Sequence, residues 1–231
     1  MWYKTLSLQG LIKGIQLSAH TAKDVCTFLK KMLNHRPHLI VIAGPNGAGK
    51  STTAPSLLKG TLGVTEFVNA DLIAQGLSVF MPEMTAFQAG RIMLERLRYL
   101  ARKRVDFAFE TTLASRTFAP WIAELRKTGY AFYLLFFWLP NEDFAIARVQ
   151  ERVRAGGHNV SEEIVRRRYH AGLQNFFNLY QPLTDIWRFY DNSEPVGPRL
   201  ITSGHGTEYD KIQDKKIWGS IIGELKRGKK A

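Results

Sequence analysis

The sequence predicts an α/β fold: a mostly parallel sheet with helices on both faces. Two observations carry this. Apolar, strand-like runs alternate with stretches of helical period along most of the chain. The strand-like runs are also too continuously apolar for a sheet that faces water on one side.

Taken in order, residues 1–36 carry the weakest pattern. Thr21 to Leu33 reads as a short helix with Val25, Phe28, Leu29 and Met32 on one face, in an N-terminal extension without a functional account. Leu39-Ile40-Val41-Ile42-Ala43 is a strand buried on both faces. Gly44, four further residues, Gly49, Lys50 and Ser51 follow it, opening a helix. Thr65 to Asn69 is a second strand, ending at Asn69-Ala70-Asp71. Thr85 to Arg104 is a helix on the rhythm of Phe87, Ile92, Met93, Leu97 and Leu100. Asp106 to Glu110 is a third strand with Thr111 and Thr112 at its exit, and Arg116 to Lys127 is a helix closed by Gly129. Tyr130 to Leu139 is a central strand stopped by Pro140. Asn141 caps a helix reaching Ala155, with Glu142 and Asp143 in its first turn. Gly156-Gly157-His158 breaks that helix, and Ser161 caps the next. Ile186 to Asp191 is a fifth strand, Arg199 to Thr202 a sixth, and a helix from about Asp214 leads to the basic tail Lys226-Arg227-Gly228-Lys229-Lys230.

The GxxxxGK[ST] spacing at Gly44–Ser51 is that of a phosphate-binding loop. Its glycines let backbone N–H groups curl around a polyphosphate with no Cβ in the way. Lys50 would reach the β- and γ-phosphates, the Ser51 hydroxyl would hold Mg²⁺, and the following helix aims its positive end at the same anion. The chemistry points to ATP or another nucleoside triphosphate. Residues 37–231 then form one P-loop kinase-like NTPase domain.

Composition is that of an ordinary globular protein, and the 231 residues contain no apolar run of membrane-spanning length. A single cysteine, Cys26, excludes an intrachain disulfide and suits a reducing cytoplasm. The net charge of +12 suits phosphorylated ligands or nucleic acid. Part of it is concentrated: Arg148, Arg152, Arg154, Arg166, Arg167 and Arg168 flank the Gly156-Gly157-His158 break. Two arginine-bearing helices meeting at a glycine hinge read as a lid over about residues 145–170, closing a guanidinium onto the γ-phosphate.

Ligands in such sheets bind at the carboxyl ends of the strands. That rule selects Gly44 to Ser51, Asp71, Glu110 to Thr112, and Asp191 to Ser193. Phosphoryl transfer to a hydroxyl needs one carboxylate at the acceptor and often another on the Mg²⁺ side. Asp71 suits the first role and Glu110 either.

Six motifs in order, from Gly44-Pro45-Asn46-Gly47-Ala48-Gly49-Lys50-Ser51-Thr52 through Asn69-Ala70-Asp71, Phe109-Glu110-Thr111-Thr112-Leu113, Arg148 and Arg152 before Gly156-Gly157-His158-Asn159-Val160, Arg167-Arg168-Tyr169, and Tyr190-Asp191-Asn192-Ser193, resemble the zeta toxin family of P-loop kinases. The resemblance implies ATP-dependent phosphorylation of the sugar 3′-hydroxyl of UDP-N-acetylglucosamine, and an antitoxin protein as partner. It implies Asp71 as the base, and Lys50 and Ser51 on ATP and Mg²⁺. Asn69, Glu110 and Thr112 fall on the substrate side. Arg152 and Arg167 match the arginines on the transferred phosphate, with Arg148, Arg154 and Arg168 as rivals, and Asp191-Asn192-Ser193 borders the adenine. One position departs: the toxins carry an arginine two residues after the threonine, where this chain has Ala114. Arg116 could substitute only if the turn differs. The GGHxV stretch is closer to a chromosomal, toxin-like branch.

The leading expectation is therefore a small-molecule kinase with a nucleotide sugar as acceptor. A nucleotide-dependent switch acting on a macromolecular partner, and a kinase of nucleic-acid ends prompted by the charge, are the alternatives.

Overall fold

β1 (His38–Ala43) is buried along its whole length, as an unbroken apolar run requires. It lies between β3 (Phe107–Thr111) and β4 (Ala131–Trp138), parallel to both. The computed structural model describes residues 36–78, 82–157 and 159–228. The expected helix at Thr21–Leu33, Cys26, His158 and the end of the basic tail lie outside the described residues.

Together with β2 (Glu66–Val68), β5 (Ile186–Asp191), β6 (Arg199–His205) and β7 (Glu208–Ile212), these strands form a seven-stranded sheet in the order β2-β3-β1-β4-β5-β6-β7. The first five strands are parallel; β6 and β7 are antiparallel additions at one edge. From β1 the chain runs outward to β2, returns to β3, then crosses to β4 on the other side. The direction of winding thus reverses at the carboxyl end of β1, where open α/β sheets bind ligands.

Alternation along β1 divides the core. Leu39, Val41 and Ala43 face a layer built from α3 (Ala86–Lys103), α4 (Phe118–Lys127) and the closing helix α7 (Lys215–Gly228) through Met93, Leu97, Ile122 and Trp218. Ile40 and Ile42 face α1 (Lys50–Pro55), α5 (Glu142–Arg154) and α6 (Glu162–Asn175) through Ala54, Ile146, Val149, Val165 and Tyr169. The sheet is covered on both faces, as its apolar strands demand.

Several local expectations need correction. α1 gives way at Ser56 to a wider helical turn reaching Leu62, just after Pro55, which has no N–H for the α ladder. Phe87 is not core: it is 82% exposed, and the buried stripe of α3 is Ala89, Met93, Leu97 and Leu100. Asn141 caps α5 by accepting from the Phe144 N–H, but Ser161 takes the cap position of α6 without a side-chain hydrogen bond. The strand at Arg199 runs on to His205 and pairs with β7, which was not anticipated. β7 presents Glu208, Asp210 and Lys211 at the sheet edge, and a charged edge discourages further pairing. No helix among the described residues is long and apolar enough to cross a membrane.

Candidate active site

The phosphate loop emerges from β1 with its glycines in conformations a side chain would resist. Gly44 has φ 138° and lies so close to the Phe137 carbonyl that a Cβ there would collide with it. Gly49, with φ 72°, is the residue before the first turn of α1. The loop is braced from behind. Asn192 donates from Nδ2 to the Ala48 carbonyl at 2.8 Å. Arg148 donates 2.7 Å hydrogen bonds to the carbonyls of Asn192 and Ser193, which fixes the brace in turn. Gly47 packs against the Ala145 carbonyl and Arg148 Cβ of α5, leaving no room for a side chain. Asp191 is buried, accepting from the Ser193 N–H at 3.0 Å and pairing with Arg199 at 3.1 Å. Asp191 and Asn192 therefore shape the loop from behind.

Inside the loop, Lys50 is buried and donates to the Pro45 carbonyl at 2.9 Å, with Glu110 3.7 Å away. Burial pushes its pKa down, opposed chiefly by Glu110 and then Asp71; the nearby Arg152 guanidinium adds to the lowering. Ser51 donates to both Glu110 carboxylate oxygens, at 3.0 and 2.8 Å. A hydroxyl and a carboxylate so placed are hard oxygen donors of the kind Mg²⁺ takes alongside phosphate oxygens and water. The residues fit that ion.

Asn69 joins the phosphate loop to the start of the next helix. Its Oδ1 caps α2 (Ala70–Leu77), accepting from the N–H groups of Asp71 and Leu72 at 2.8 and 3.2 Å. Its Nδ2 donates to Glu110 at 2.8 Å and lies 3.5 Å from the Ser51 hydroxyl. One buried side chain thus aligns both acids. Their environments then diverge. Glu110 is closed in by Ser51, Lys50 and Asn69, whereas the Asp71 carboxylate is exposed and accepts no hydrogen bond among the described residues.

A cavity of about 450 Å³ opens beside the loop, with Asn46, Lys50, Asn69, Asp71, Glu110 and Thr112 in its wall. That volume lies in the range of small-molecule sites. Arg168 lines it too, 3.5 Å from Asn46 Oδ1; burial lowers its pKa, with Asp71 opposing. Arg167, one position earlier on α6, is exposed outside the wall. Arg152 is half-buried, Arg154 exposed, and Arg166 is paired with Asp143 at 2.6 Å and Glu142 at 3.6 Å. Of the arginine group, the structure brings Arg168 to the cavity and Arg152 near Lys50, and it uses Arg148 and Arg166 as struts. Tyr169 fastens α6 to the core through its hydroxyl on the Leu139 carbonyl, at 2.8 Å.

The turn after β3 is held from α6 and the turns beyond it. Asn175 donates to the carbonyls of Leu113 and Ala114, and Tyr180 to that of Ser115 at 2.6 Å. This grip sustains Leu113 at φ 57°, an unfavourable conformation for a leucine. Ser115, Thr117 and Phe118 form the cavity wall here, while Arg116 is exposed outside it, so Arg116 does not replace the arginine missing at Ala114. Sequence reasoning missed Arg91 and Phe87 of α3, which complete the opposite wall.

A phosphate loop at the switch point of a 2-3-1-4-5 parallel sheet, with two carboxylates at neighbouring strand ends, defines a P-loop protein of kinase-like fold. The chain belongs to the AAA domain family, whose model matches residues 39–178. An uncharacterized protein of Haemophilus influenzae is 26% identical over 140 residues, which is 61% of this chain and 98% of that protein. The fold is shared with the AvrRxo1-ORF1:AvrRxo1-ORF2 complex with sulphate ions, at TM-score 0.64 and 15% identity, covering 88% of this chain and 72% of that one. The same complex has also been solved with ATP (TM-score 0.63, 16% identity, 93% and 70% covered). The PezAT chromosomal toxin-antitoxin system of Streptococcus pneumoniae aligns over 91% of this chain and 95% of its own, at TM-score 0.58 and 13% identity. The resemblance to zeta toxin-like P-loop proteins carried by the motifs therefore holds at the level of fold.

Proposed function

We propose that the protein is an ATP- and Mg²⁺-dependent phosphotransferase that phosphorylates a hydroxyl of a small molecule. The observation that carries this is the separation of the two acids. Glu110 is engaged with Ser51 and Lys50, while Asp71 stands exposed and unengaged in the same cavity. A kinase needs an open carboxylate to orient the acceptor hydroxyl and take its proton, and Asp71 is free to serve in that role. Gly44 to Thr52 hold the phosphates of ATP, and Ser51 with Glu110 holds Mg²⁺, which supplies charge neutralisation between the phosphates. Lys50, Arg152 and Arg168 steady the transferred group, with Arg167 within reach only if α6 turns. Asn69 and Thr112 line the acceptor side. Residues 37–231 form the kinase domain, α5 and α6 its arginine-bearing cover, and residues 1–36 an N-terminal extension without an assigned role.

For the acceptor we propose a nucleotide sugar, UDP-N-acetylglucosamine being the compound of choice for a first test. The PezAT toxin-antitoxin system, with the two-protein AvrRxo1-ORF1:AvrRxo1-ORF2 complex beside it, supports an antitoxin-like protein as partner. The test is incubation of purified protein with Mg-ATP and a panel of nucleotide sugars, nucleosides and free sugars, read by mass spectrometry. Gain of one phosphoryl group on one acceptor, lost in Lys50→Ala, is the expected result. Consumption of ATP with no phosphorylated product would contradict the proposal and favour a nucleotide-dependent switch.

A further inference from the structure

The wall of the cavity opposite the β3 turn comes from the first turns of α3, and its chemistry is unlike the rest. Ala86, Phe87, Gly90, Arg91 and Leu94 face the space there. Phe87 and Arg91 are four residues apart on a helix, so their side chains are neighbours on one face. Phe87 is 82% exposed, off the buried stripe Ala89, Met93, Leu97 and Leu100 of the same helix. Between them Gly90 keeps the wall low: a Cβ at that position would meet nothing within 4 Å.

Among the described residues three cations line the cavity: Lys50, Arg91 and Arg168. Lys50 is held on the Pro45 carbonyl beside Glu110, and Arg168 lies at Asn46 of the loop. Arg91 makes no ion pair or hydrogen bond among the described residues and projects from the other side of the space. The β3 turn contributes no cation here, since Ala114 and Ser115 occupy it and Arg116 lies outside.

We infer that Phe87 and Arg91 form the acceptor-recognition arm of this cavity, binding a molecule that carries a planar ring, stacked on Phe87, and a phosphoryl group, held by Arg91. The inference rests on the kinase reading above only for the word acceptor; the binding arm itself is tested without turnover. An exposed phenyl ring offers a face to any planar base, and a guanidinium matches a phosphate in shape and charge. The Gly90 gap lets such a molecule lie flat between the two. Its reacting hydroxyl would then extend toward Asp71, at the head of the neighbouring helix α2.

The experiment is calorimetric titration of the full chain, saturated with Mg²⁺ and a non-hydrolysable ATP analogue so that the phosphate loop is filled. The probes are UDP-N-acetylglucosamine, uridine (planar base without phosphate) and glucosamine 1-phosphate (phosphate without planar base). The expected result is binding of UDP-N-acetylglucosamine, weakened about tenfold by Phe87→Ala and about tenfold by Arg91→Gln, with partial recovery in Arg91→Lys. Phe87→Ala should weaken uridine and spare glucosamine 1-phosphate, and Arg91→Gln should do the reverse. Both side chains are exposed, so melting temperature and affinity for the ATP analogue stay as in the wild type. Equal binding by wild type and variants overturns the inference, as does a wild type that takes the ATP analogue but none of the three probes. Failure of the kinase reading looks different: the probes bind and respond to both substitutions, yet no phosphoryl group is transferred.

Discussion

The two walls of the cavity are built on opposite plans. On the phosphate side nearly every polar group is engaged: Ser51 with Glu110, Lys50 with Pro45, Asn192 with Ala48, Arg148 with the carbonyls behind the loop. On the acceptor side Asp71, Phe87 and Arg91 are exposed, and neither Asp71 nor Arg91 has a side-chain partner among the described residues. The first wall is pre-organised for one kind of group, a chain of phosphates, and costs little reorganisation when it binds. The second presents unengaged groups whose partners come with the ligand. On the kinase function proposed above, the difference assigns nucleotide chemistry to the braced loop and acceptor choice to α2 and α3.

Breaking the phosphate side should have the largest effect. Lys50→Ala removes the cation aimed at the transferred group, and phosphoryl transfer should fall by roughly a thousandfold in a single-turnover assay. Asn192→Ala strips the brace and leaves the Ala48 carbonyl buried without its donor. It should cost about 1–3 kcal/mol in urea denaturation and weaken binding of an ATP analogue, although Asn192 lies behind the loop. Asn69→Ala should disturb both walls at once. Loss of the α2 cap costs about 1 kcal/mol, and the transfer rate should fall further than the affinity for either ligand, because both acids lose alignment.

A change confined to the acceptor wall should be mildest, and opposite in sign for stability. Gly90→Ala places a better helix former where nothing obstructs it, so it should add about 0.5–1 kcal/mol and raise the melting temperature by about 1–4 °C. Its methyl group should weaken acceptor binding without touching ATP affinity. A final, smaller signature belongs to Lys50. Its pKa is lowered by burial, so its charged form is disfavoured in the protein without nucleotide, and stability rises with pH between the lowered value and the ordinary 10.5. Phosphates favour the charged form, so nucleotide binding should take up protons as the pH enters that window and none well below it. Calorimetry in buffers of different ionisation enthalpy measures the uptake, and Lys50→Arg should abolish it.

The sequence makes the phosphate side readable because loop chemistry demands fixed residues at fixed spacing, and the β4 run is apolar enough to be nothing but a central strand. The acceptor side is harder to read, for physical reasons. Phe87 looks like core when apolar residues alone are counted, but it stands two residues from Ala89 and thus on nearly the opposite face of α3. In the run Arg166-Arg167-Arg168, type does not distinguish one arginine from the next. The buried stripe Val165, Tyr169, Leu173 does, since Arg168 follows Val165 by three residues while Arg167 lies opposite. That signal was present in the sequence and favours Arg168. β7 was hidden because an exposed, charged edge strand has no apolar alternation to reveal it. Asp191 and Asn192 fall at a strand exit, as ligand-binding residues do, and only their partners show them supporting the loop from behind.

The most direct test of this division of labour is Asp71→Asn, with transfer rate and affinity for an ATP analogue measured on the same preparation. Asp71 is exposed and its side chain supports no other element, so the fold should be untouched. The account predicts that phosphoryl transfer to the acceptor falls about 10²–10⁴-fold while the analogue binds as tightly as before. Transfer at the wild-type rate would contradict the role of Asp71, and an equal loss of analogue binding would show that the two walls are not separate.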